Sequence, residues 1–309
     1  MISIASKKFK IVNIILNKSI FNENIINIIL NFYWIILDNK NKILLNWINI
    51  NNLNFNYLSY NKNAINLLEN NFDKINWRYL SGNKNAIKLL EKRVKFENNL
   101  SKIEYNNLSN NNKINWNLLS NNENAINIIK KNLKKIDWNT LSLNKNIMFL
   151  LQKKKINWRL ISKNKNAINL IKNNLKKIDW YLLSKNKNAI SILKNNLNKI
   201  NFNSISLNKN AISIIEKNLD KIDWNYLSEN KNAIHILEKN LDKINWNFLS
   251  ENKNAIHILE KNLDKIDWNN LSLNKNAIHI LKENKDKIDW FNLSLNPSIF
   301  ENEAMPKIL

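Results

Sequence analysis

A short pattern recurs along this chain and restricts its possible folds more than any other feature. From Phe55 onward, an aromatic residue, two variable residues, Leu or Ile, and then Ser occur together twelve times. In the later copies the interval is close to 22 residues, with Trp at 158, 180, 224, 246, 268 and 290 and with Phe202 between them. A unit of this size has too little interior to be stable alone, so it must stack on its neighbours.

The first half of a unit is predicted to be an amphipathic helix. In the copy at residues 252–272, the apolar residues between 255 and 259 have the spacing of one helix face. Asn252 is a suitable N-cap for this helix. Asn262 is expected to end it in the left-handed conformation, which Asn tolerates.

A second, shorter helix is expected to begin at each aromatic residue. The preceding residue is Asp or Asn in all copies but the one at Tyr105, where it is Glu104, and both types are good N-caps. In the same copy, Ile266 and Leu271 have the spacing of a hydrophobic staple around the cap Asp267.

These patterns predict an all-α fold, an α-solenoid of about twelve 22-residue repeats. Each repeat should contain a ~10-residue helix plus a shorter α or 3₁₀ helix. At the usual spacing of packed helices, such an array is expected to be a rod or superhelix on the order of 100 Å long.

The spacing of the repeats also predicts the domain organisation. Residues 1–54 are interpreted as an N-terminal helical cap, 55–294 as the repeat solenoid and 295–309 as a C-terminal cap. The interval lengthens to 28 residues before Tyr105 and shortens to 11 after it. We therefore expect a kink or bulge at residues 92–116.

Composition excludes several classes of protein. The chain has no Cys, so it has neither disulfides nor a thiolate metal site. Its most apolar run, residues 25–37, is well short of the ~20 residues of a membrane helix, and its N-terminus lacks a signal-peptide pattern. We expect a cytoplasmic protein that is not secreted and does not bind a membrane.

The net charge of +23 is unevenly distributed. Residues 1–204 contain 34 basic and 10 acidic residues, whereas residues 205–309 are almost neutral. A basic excess of this kind can bind phosphates by counter-ion release. The abundance of Asn, Lys and Ile also indicates a very AT-rich genome, which supplies Lys whether or not it has a function.

Two sets of repeated residues are candidate sites. The Trp series can be an interface anchor or a stacking platform, but Phe and Tyr replace it in some copies, so we interpret it as core. His235, His257 and His279 share one repeat position and suggest a metal or pH-sensing ladder. Because Asn, Lys or Ser occupies that position elsewhere, an exposed helix position is the better explanation. The three histidines remain binding candidates as members of a variable repeat column.

The remaining columns give no sign of catalysis. The repeated Ser has no His or acid at a fixed offset to activate it, so we expect no enzyme activity, no cofactor and no metal. The residues that follow each aromatic vary within a constant frame, and Tyr226, Phe248 and Phe291 are the binding candidates among them.

The unit Leu-Ser-x-Asn-Lys-Asn-Ala-Ile-His-Ile-Leu-Glu-Lys-Asn-Leu-Asp-Lys-Ile-Asp-Trp resembles a repeat of giant-virus (nucleocytoplasmic large DNA virus) proteins. In that family Pro often follows the capping Asn; here only Asn296-Pro297 keeps it, and Lys62, Lys84, Lys165 and Lys253 replace it. The resemblance covers roughly residues 50–300 and implies expression in the cytoplasm of an infected host cell. Such proteins are largely uncharacterised, so it implies no particular activity.

Two functions follow as hypotheses. The first is a non-enzymatic scaffold for protein–protein interaction, within the virus or with the host, that binds an unidentified protein partner through variable columns. The alternative is sequence-indifferent binding of nucleic acid or another polyanion by residues 1–204.

Overall fold

The repeats form a regular stack of short helices. The computed structural model describes residues 42–146 and 157–302, and residues 44–300 form one compact unit. A second unit comprises residues 1–43 and 301–309, of which only residues 42, 43, 301 and 302 are described. The expected all-α repeat architecture is confirmed.

Each repeat contributes an aromatic helix, which begins at its Trp or Phe. The aromatic helices are Phe55–Tyr60, Trp77–Leu80, Trp116–Asn121, Trp138–Leu141, Trp158–Lys163, Trp180–Ser184, Phe202–Ser206, Trp224–Glu229, Trp246–Glu251, Trp268–Leu273 and Trp290–Leu295. They are α-helical, and the preceding Asp or Asn caps them as predicted. In the Trp268 repeat, for example, the Asp267 carboxylate accepts a hydrogen bond from the Asn270 amide at 2.8 Å.

In the described part of the chain, an isoleucine helix follows nine of the eleven aromatic helices. The isoleucine helices are Ile65–Glu69, Ile87–Asn99, Ile126–Lys131, Ile168–Lys172, Ile190–Lys194, Ile212–Ile215, Ile234–Glu238, Ile256–Glu260 and Ile278–Glu283. Several continue into a 3₁₀ turn: Phe72–Lys74, Leu197–Lys199, Glu216–Asn218, Leu241–Lys243, Leu263–Lys265 and Lys285–Lys287.

The isoleucine helices are shorter than the ~10 residues expected and begin later. The helix of the Trp246 repeat has five residues and starts at Ile256, four residues after the Asn252 predicted to cap it. Its end also differs from the prediction, because no described residue other than glycine has a positive φ. Asn262 instead donates its side-chain amide to the Ile258 carbonyl at 2.8 Å. Helices this short are marginal alone and depend on packing.

The packing forms one continuous core. In nine of the eleven repeats a buried Ala packs with buried Ile and Leu side chains, and those of Ala255, Leu259 and Leu271 have no exposed surface. The Trp residues at 116, 138, 158, 180, 224, 246, 268 and 290 are partly buried and pack against this core. This burial supports the interpretation of the Trp series as core.

A column of buried serines joins each repeat to the next. Ser228 donates its hydroxyl to the Trp224 carbonyl at 2.8 Å and accepts from the Asn245 amide of the following repeat at 3.0 Å. Corresponding bonds to the next repeat are made by Ser59, Ser81, Ser120, Ser162, Ser184, Ser206, Ser250 and Ser272.

A column of buried asparagines makes the second connection. The Asn208 side chain donates to the Ser184 and Asn186 carbonyls of the preceding repeat at 2.8 and 3.2 Å, and its oxygen accepts from the Asn210 amide at 3.1 Å. The members of this buried asparagine column are Asn61, Asn83, Asn122, Asn144, Asn164, Asn186, Asn208, Asn230, Asn252, Asn274 and Asn296, all at most 2% exposed. Their side-chain amide groups therefore bind backward to the neighbouring repeat, and their oxygens accept from the amide two residues ahead. Only Asn296 is also the N-cap of a described helix.

The stack closes on itself, so the expected rod or superhelix is wrong. Asn61 of the first repeat donates to the Ser294 and Asn296 carbonyls of the last repeat, at 3.0 and 3.1 Å. The Asn54 amide likewise donates to the Ser294 hydroxyl at 2.9 Å. Residues 44–300 are thus a ring, because the last repeat serves as the neighbour that precedes the first.

The contact between the last and the first repeat is called the closing joint, and short extended segments adjoin it. Strand β1 (Lys42–Leu44) is hydrogen-bonded to strand β2 (Phe300–Asn302), and the Leu45 amide donates to the Ile299 carbonyl at 2.9 Å. The 3₁₀ helices Ile50–Asn52 and Pro297–Ile299 lie beside them in the chain, the second with Asn296 as cap and Pro297 at its first position, as predicted. Residues 1–41 and 303–309 of the predicted caps lie outside the described residues.

The irregular stretch is an insertion beside one joint. It contains the long helix Ile87–Asn99, the helix Lys102–Asn107 and the 3₁₀ helix Asn110–Asn112. The Tyr105 copy lies in this insertion, and Asn122 of the Trp116 repeat donates directly to the Ser81 and Asn83 carbonyls at 3.2 and 3.1 Å. In the described part of the chain the ring therefore has eleven aromatic helices. None of the described helices is long and apolar enough to cross a membrane.

Candidate interaction surface of the ring

The turn between the two helices of each repeat carries a column of lysines. This turn lysine column consists of Lys62, Lys84, Lys145, Lys165, Lys187, Lys209, Lys231, Lys253 and Lys275, with Glu123 and Pro297 at the same position in the other two repeats. A second, more exposed asparagine column holds its backbone in register. Asn188, for instance, donates to the Lys165 carbonyl at 3.1 Å, and Asn210 to that of Lys187 at 3.0 Å.

The ammonium groups of the turn lysine column are close to one another. Desolvation lowers the pKa of Lys165 first, and the charges of Lys187, Lys145 and Lys209 lower it further. Lys209 belongs to the second repeat after Lys165, so its contribution indicates that these side chains converge. The pKa of Lys275 is lowered in the same way, and there the Coulombic contributors include Lys62 from beyond the closing joint.

Other side chains of the aromatic helices also meet across two repeats. The Lys185 ammonium lies 5.4 Å from the centre of the Tyr226 ring, although the Phe202 repeat separates their helices. Desolvation raises the pKa of Glu229, and the charge of Glu251 raises it further, whereas Lys231 and Lys185 lower it. Glu229 is nevertheless exposed to solvent. Such contacts between non-adjacent repeats arise on the concave side of a ring, so we assign these residues to the concave wall.

Two groups of aromatic residues lie on the aromatic helices. The arc patch consists of Tyr181, Tyr226 and Phe248: the Tyr226 and Phe248 rings are 6.5 Å apart, and Lys185 donates to the Tyr181 hydroxyl at 2.8 Å. This bond is the main reason that the pKa of Tyr181 is lowered. In both the Tyr181 and the Phe248 residue, more than a third of the surface is exposed.

The seam patch spans the joint that closes the ring. It consists of Phe291 of the last repeat, Tyr57 of the first and Tyr79 of the second. The Tyr57 ring meets that of Phe291 edge-on at 6.2 Å and lies 6.3 Å from that of Tyr79. Phe291 is 59% exposed, so closure of the ring creates an aromatic surface from residues far apart in the sequence.

The three histidines each contact a glutamate of the preceding repeat. The contacts are made by Nε2: His235 with Glu216 at 2.9 Å, His257 with Glu238 at 2.6 Å and His279 with Glu260 at 2.9 Å. About half of each side chain is exposed, so these are separate surface pairs of small energetic value. No cluster of metal-binding side chains occurs among the residues that the structure describes.

A second column of lysines lies at the opposite end of the repeats, just before the aromatic helices. The Lys243 ammonium lies 4.8 Å from the centre of the ring of Trp224, the aromatic residue that begins the same repeat. The same contact recurs at Lys74, Lys135, Lys177, Lys199, Lys221, Lys265 and Lys287, each over the aromatic residue that begins its own repeat. In this stacked lysine column the ammonium groups are partnered by rings within the protein.

The structure thus brings together some of the predicted site residues and separates others. Tyr226 and Phe248 are in one patch and Phe291 in another, whereas the histidines are on the isoleucine helices. Sequence reasoning missed the turn lysines as a group, together with Tyr57, Tyr79 and Tyr181. The sequence does contain a pattern for each group. The lysines recur at one position of the repeat, and the tyrosines lie one or two positions after the repeated Trp or Phe.

Comparison with known proteins gives no relative from which a function is transferable. The chain matches no family model, and neither curated proteins nor solved structures show significant similarity to it. The function must therefore be argued from the surface of the ring itself.

Proposed function

We propose that the ring is a non-enzymatic scaffold that binds a partner protein through the aromatic patches of its aromatic helices. The observation that carries this proposal is the exposure of large aromatic side chains at variable positions of a constant, hydrogen-bonded frame. Exposed aromatic residues are the usual anchors of protein interfaces. Holding them on a closed frame reduces the ordering cost of binding.

The two patches have the composition expected of distinct anchor points. The seam patch combines Tyr57, Tyr79 and Phe291, and the arc patch combines Tyr181, Tyr226 and Phe248. At the position of Tyr226 and Phe248, the first two repeats have Tyr57 and Tyr79 and the others have Leu, Thr, Ser or Asn, so the wall differs around the ring while its frame does not. The resemblance to giant-virus repeat proteins predicts that the partner is met in the cytoplasm of an infected host cell.

The test compares truncation of these anchors with a matched truncation elsewhere. The tagged full chain is crosslinked in the cells that produce it and purified, alongside Tyr57→Ala/Phe291→Ala, Tyr226→Ala/Phe248→Ala and the control Leu241→Ala/Leu263→Ala. The two control leucines are exposed to a similar degree, 47% and 46%, but lie in 3₁₀ turns at the other end of the repeats.

We expect one stoichiometric protein partner with the natural chain and with the control, and at least a tenfold lower recovery with one of the patch variants. Recovery of no stoichiometric protein, or equal recovery with all variants, would contradict the proposal. Circular dichroism of each variant confirms that the ring is still folded.

A further inference from the structure

Seven consecutive repeats present an unbroken arc of turn lysines. This lysine arc comprises Lys145, Lys165, Lys187, Lys209, Lys231, Lys253 and Lys275. It ends at Glu123 on one side and at Pro297 on the other. It extends well into residues 205–309, which are almost neutral in total, so the charge is organised by position within the repeat rather than along the chain.

The lysines of the arc from 165 to 275 differ from the stacked lysine column in having no close partner among the residues that the structure describes. Lys145 pairs with Glu123, but among the described residues no ion pair or ring contact involves the six lysines from 165 to 275. Desolvation first, and then repulsion from neighbouring lysines, lowers the pKa of Lys165 and of Lys275, while Glu123 and Glu251 respectively oppose the shift. An anion placed along the arc would relieve this repulsion and stabilise the charged form of the lysines.

Glu123 shows how an anionic group fits this column. It occupies the lysine position of the Trp116 repeat, and one of its carboxylate oxygens contacts the Lys145 ammonium of the next repeat at 2.6 Å. The other oxygen contacts the Lys84 ammonium of the preceding repeat. The pKa of Glu123 is lowered, chiefly by these two hydrogen bonds. A single anionic group is therefore held by lysines from both flanking repeats.

The regularity of the arc identifies the kind of anion. It offers one identical cation per repeat, at positions that the second asparagine column fixes through the backbone. A ligand with one identical charge per residue, such as a phosphodiester backbone, matches such an array. A protein partner with a varied surface is better matched by the variable columns.

The curvature of the arc excludes a duplex. Eleven helices at the usual 8 to 10 Å spacing close a circle about 30 Å across between helix axes. Double-stranded DNA has a persistence length of about 50 nm and resists bending on this scale. A single strand is flexible enough to follow the lysines.

We propose that the lysine arc binds the phosphate backbone of single-stranded nucleic acid without regard to base sequence. This site is additional to the protein anchors proposed above. Its failure would leave them intact, since the variants that test them replace different residues.

Fluorescence anisotropy with labelled (dT)15 and the full chain tests the proposal. Lys187→Gln/Lys209→Gln/Lys231→Gln removes three charges from the arc. Lys194→Gln/Lys217→Gln/Lys239→Gln removes three from the ends of the isoleucine helices of the same repeats. We expect the arc variant to bind at least tenfold more weakly, with a salt dependence lower by about 2 in log–log slope. The control variant should lose less than twofold.

A gain of affinity provides a test that misfolding cannot imitate. Glu123→Lys extends the arc to Lys84, so it should tighten (dT)15 binding several-fold, whereas Glu216→Lys in the 3₁₀ turn Glu216–Asn218 should change it less than twofold. Equal losses in the two triple variants, equal gains in the two Glu variants, or no salt-sensitive binding by the natural chain would overturn the proposal. Competition by a duplex or by poly-glutamate as effective as that by unlabelled (dT)15 would overturn the assignment to single strands.

Discussion

The joint that closes the ring and the joint between the Trp180 and Phe202 repeats make the same hydrogen bonds. At the closing joint Asn61 reaches the Ser294 and Asn296 carbonyls at 3.0 and 3.1 Å. At the interior joint Asn208 reaches those of Ser184 and Asn186 at 2.8 and 3.2 Å. Only the interior joint is also spanned by the chain. The comparison teaches that side-chain and backbone hydrogen bonds, rather than chain connectivity, define the contact between repeats.

The largest effect is expected from the buried asparagine column. Asn61→Ala and Asn208→Ala each remove two hydrogen bonds to buried carbonyls. The Asn296 and Asn186 carbonyls keep the Ile299 and Ala189 amides as donors, whereas the Ser294 and Ser184 carbonyls lose the asparagine donor, so each substitution should lower the free energy of unfolding by about 2 to 4 kcal/mol. Urea denaturation followed by circular dichroism measures the change. The control Asn63→Ala removes one bond from a less buried position and should cost less than about 1 kcal/mol. If Asn61→Ala costs no more than this control, the two joints are not equivalent.

Substitutions in the serine column should lower the free energy of unfolding at both joints, by less than those in the buried asparagine column. Ser294→Ala deprives the Asn54 amide of its acceptor, and Ser184→Ala does the same to the Asn201 amide. Each is expected to cost about 1 to 2 kcal/mol, measured in the same way. A loss confined to Ser184→Ala would show that the closing joint does not persist in solution.

The contact between the Trp77 and Trp116 repeats, beside the insertion, extends the comparison because it contains a buried carboxylate. Glu97 is 5% exposed and accepts from the Ile114 amide at 2.8 Å. Burial raises its pKa in spite of that bond and of Arg93. The folded state therefore binds more protons than the unfolded state, and Glu97 reduces stability as the pH rises from below 4.5 through the folded pKa.

Glu97→Gln removes this pH dependence while keeping an oxygen that accepts from Ile114. The variant should match the natural chain near pH 4 and exceed its free energy of unfolding at pH 7 by about 0.5 kcal/mol. Urea denaturation across this pH range provides the measurement. A variant less stable than the natural chain at pH 7 would mean that the carboxylate charge supports the insertion.

Local features of the repeat were predictable from sequence, whereas those that depend on three-dimensional placement were not. The cap Asp267 and the start of a helix at Trp268 follow from residue preferences acting over a few positions. Closure of the ring depends on the small rotation between successive repeats, and this rotation cannot be predicted from any single residue. The local sequence predicts that Asn252 caps the helix that follows it. Nothing in that sequence indicates that its side chain donates to the Ser228 carbonyl of the preceding repeat.

The candidate surface was predicted in part for the same reason. Tyr226, Phe248 and Phe291 were identified from variation within a constant frame, and the structure adds Tyr57 and Tyr79 because closure brings them to Phe291. In the sequence, the turn lysine column is recognisable only as a Lys that recurs at one position of the repeat. Its convergence, and its difference from the stacked lysines, require the curvature of the ring.

Closure is tested most directly by crosslinking across the joint, since the chain has no native cysteine. Tyr57→Cys/Phe291→Cys places thiols on residues whose rings are 6.2 Å apart, and Tyr226→Cys/Phe248→Cys is an interior control with rings 6.5 Å apart. A short bis-maleimide, followed by intact-mass analysis of the monomer, should link both pairs to the same extent and leave Tyr57→Cys/Tyr181→Cys unlinked. Linkage of the interior pair alone would contradict closure and restore an open array on the order of 100 Å long.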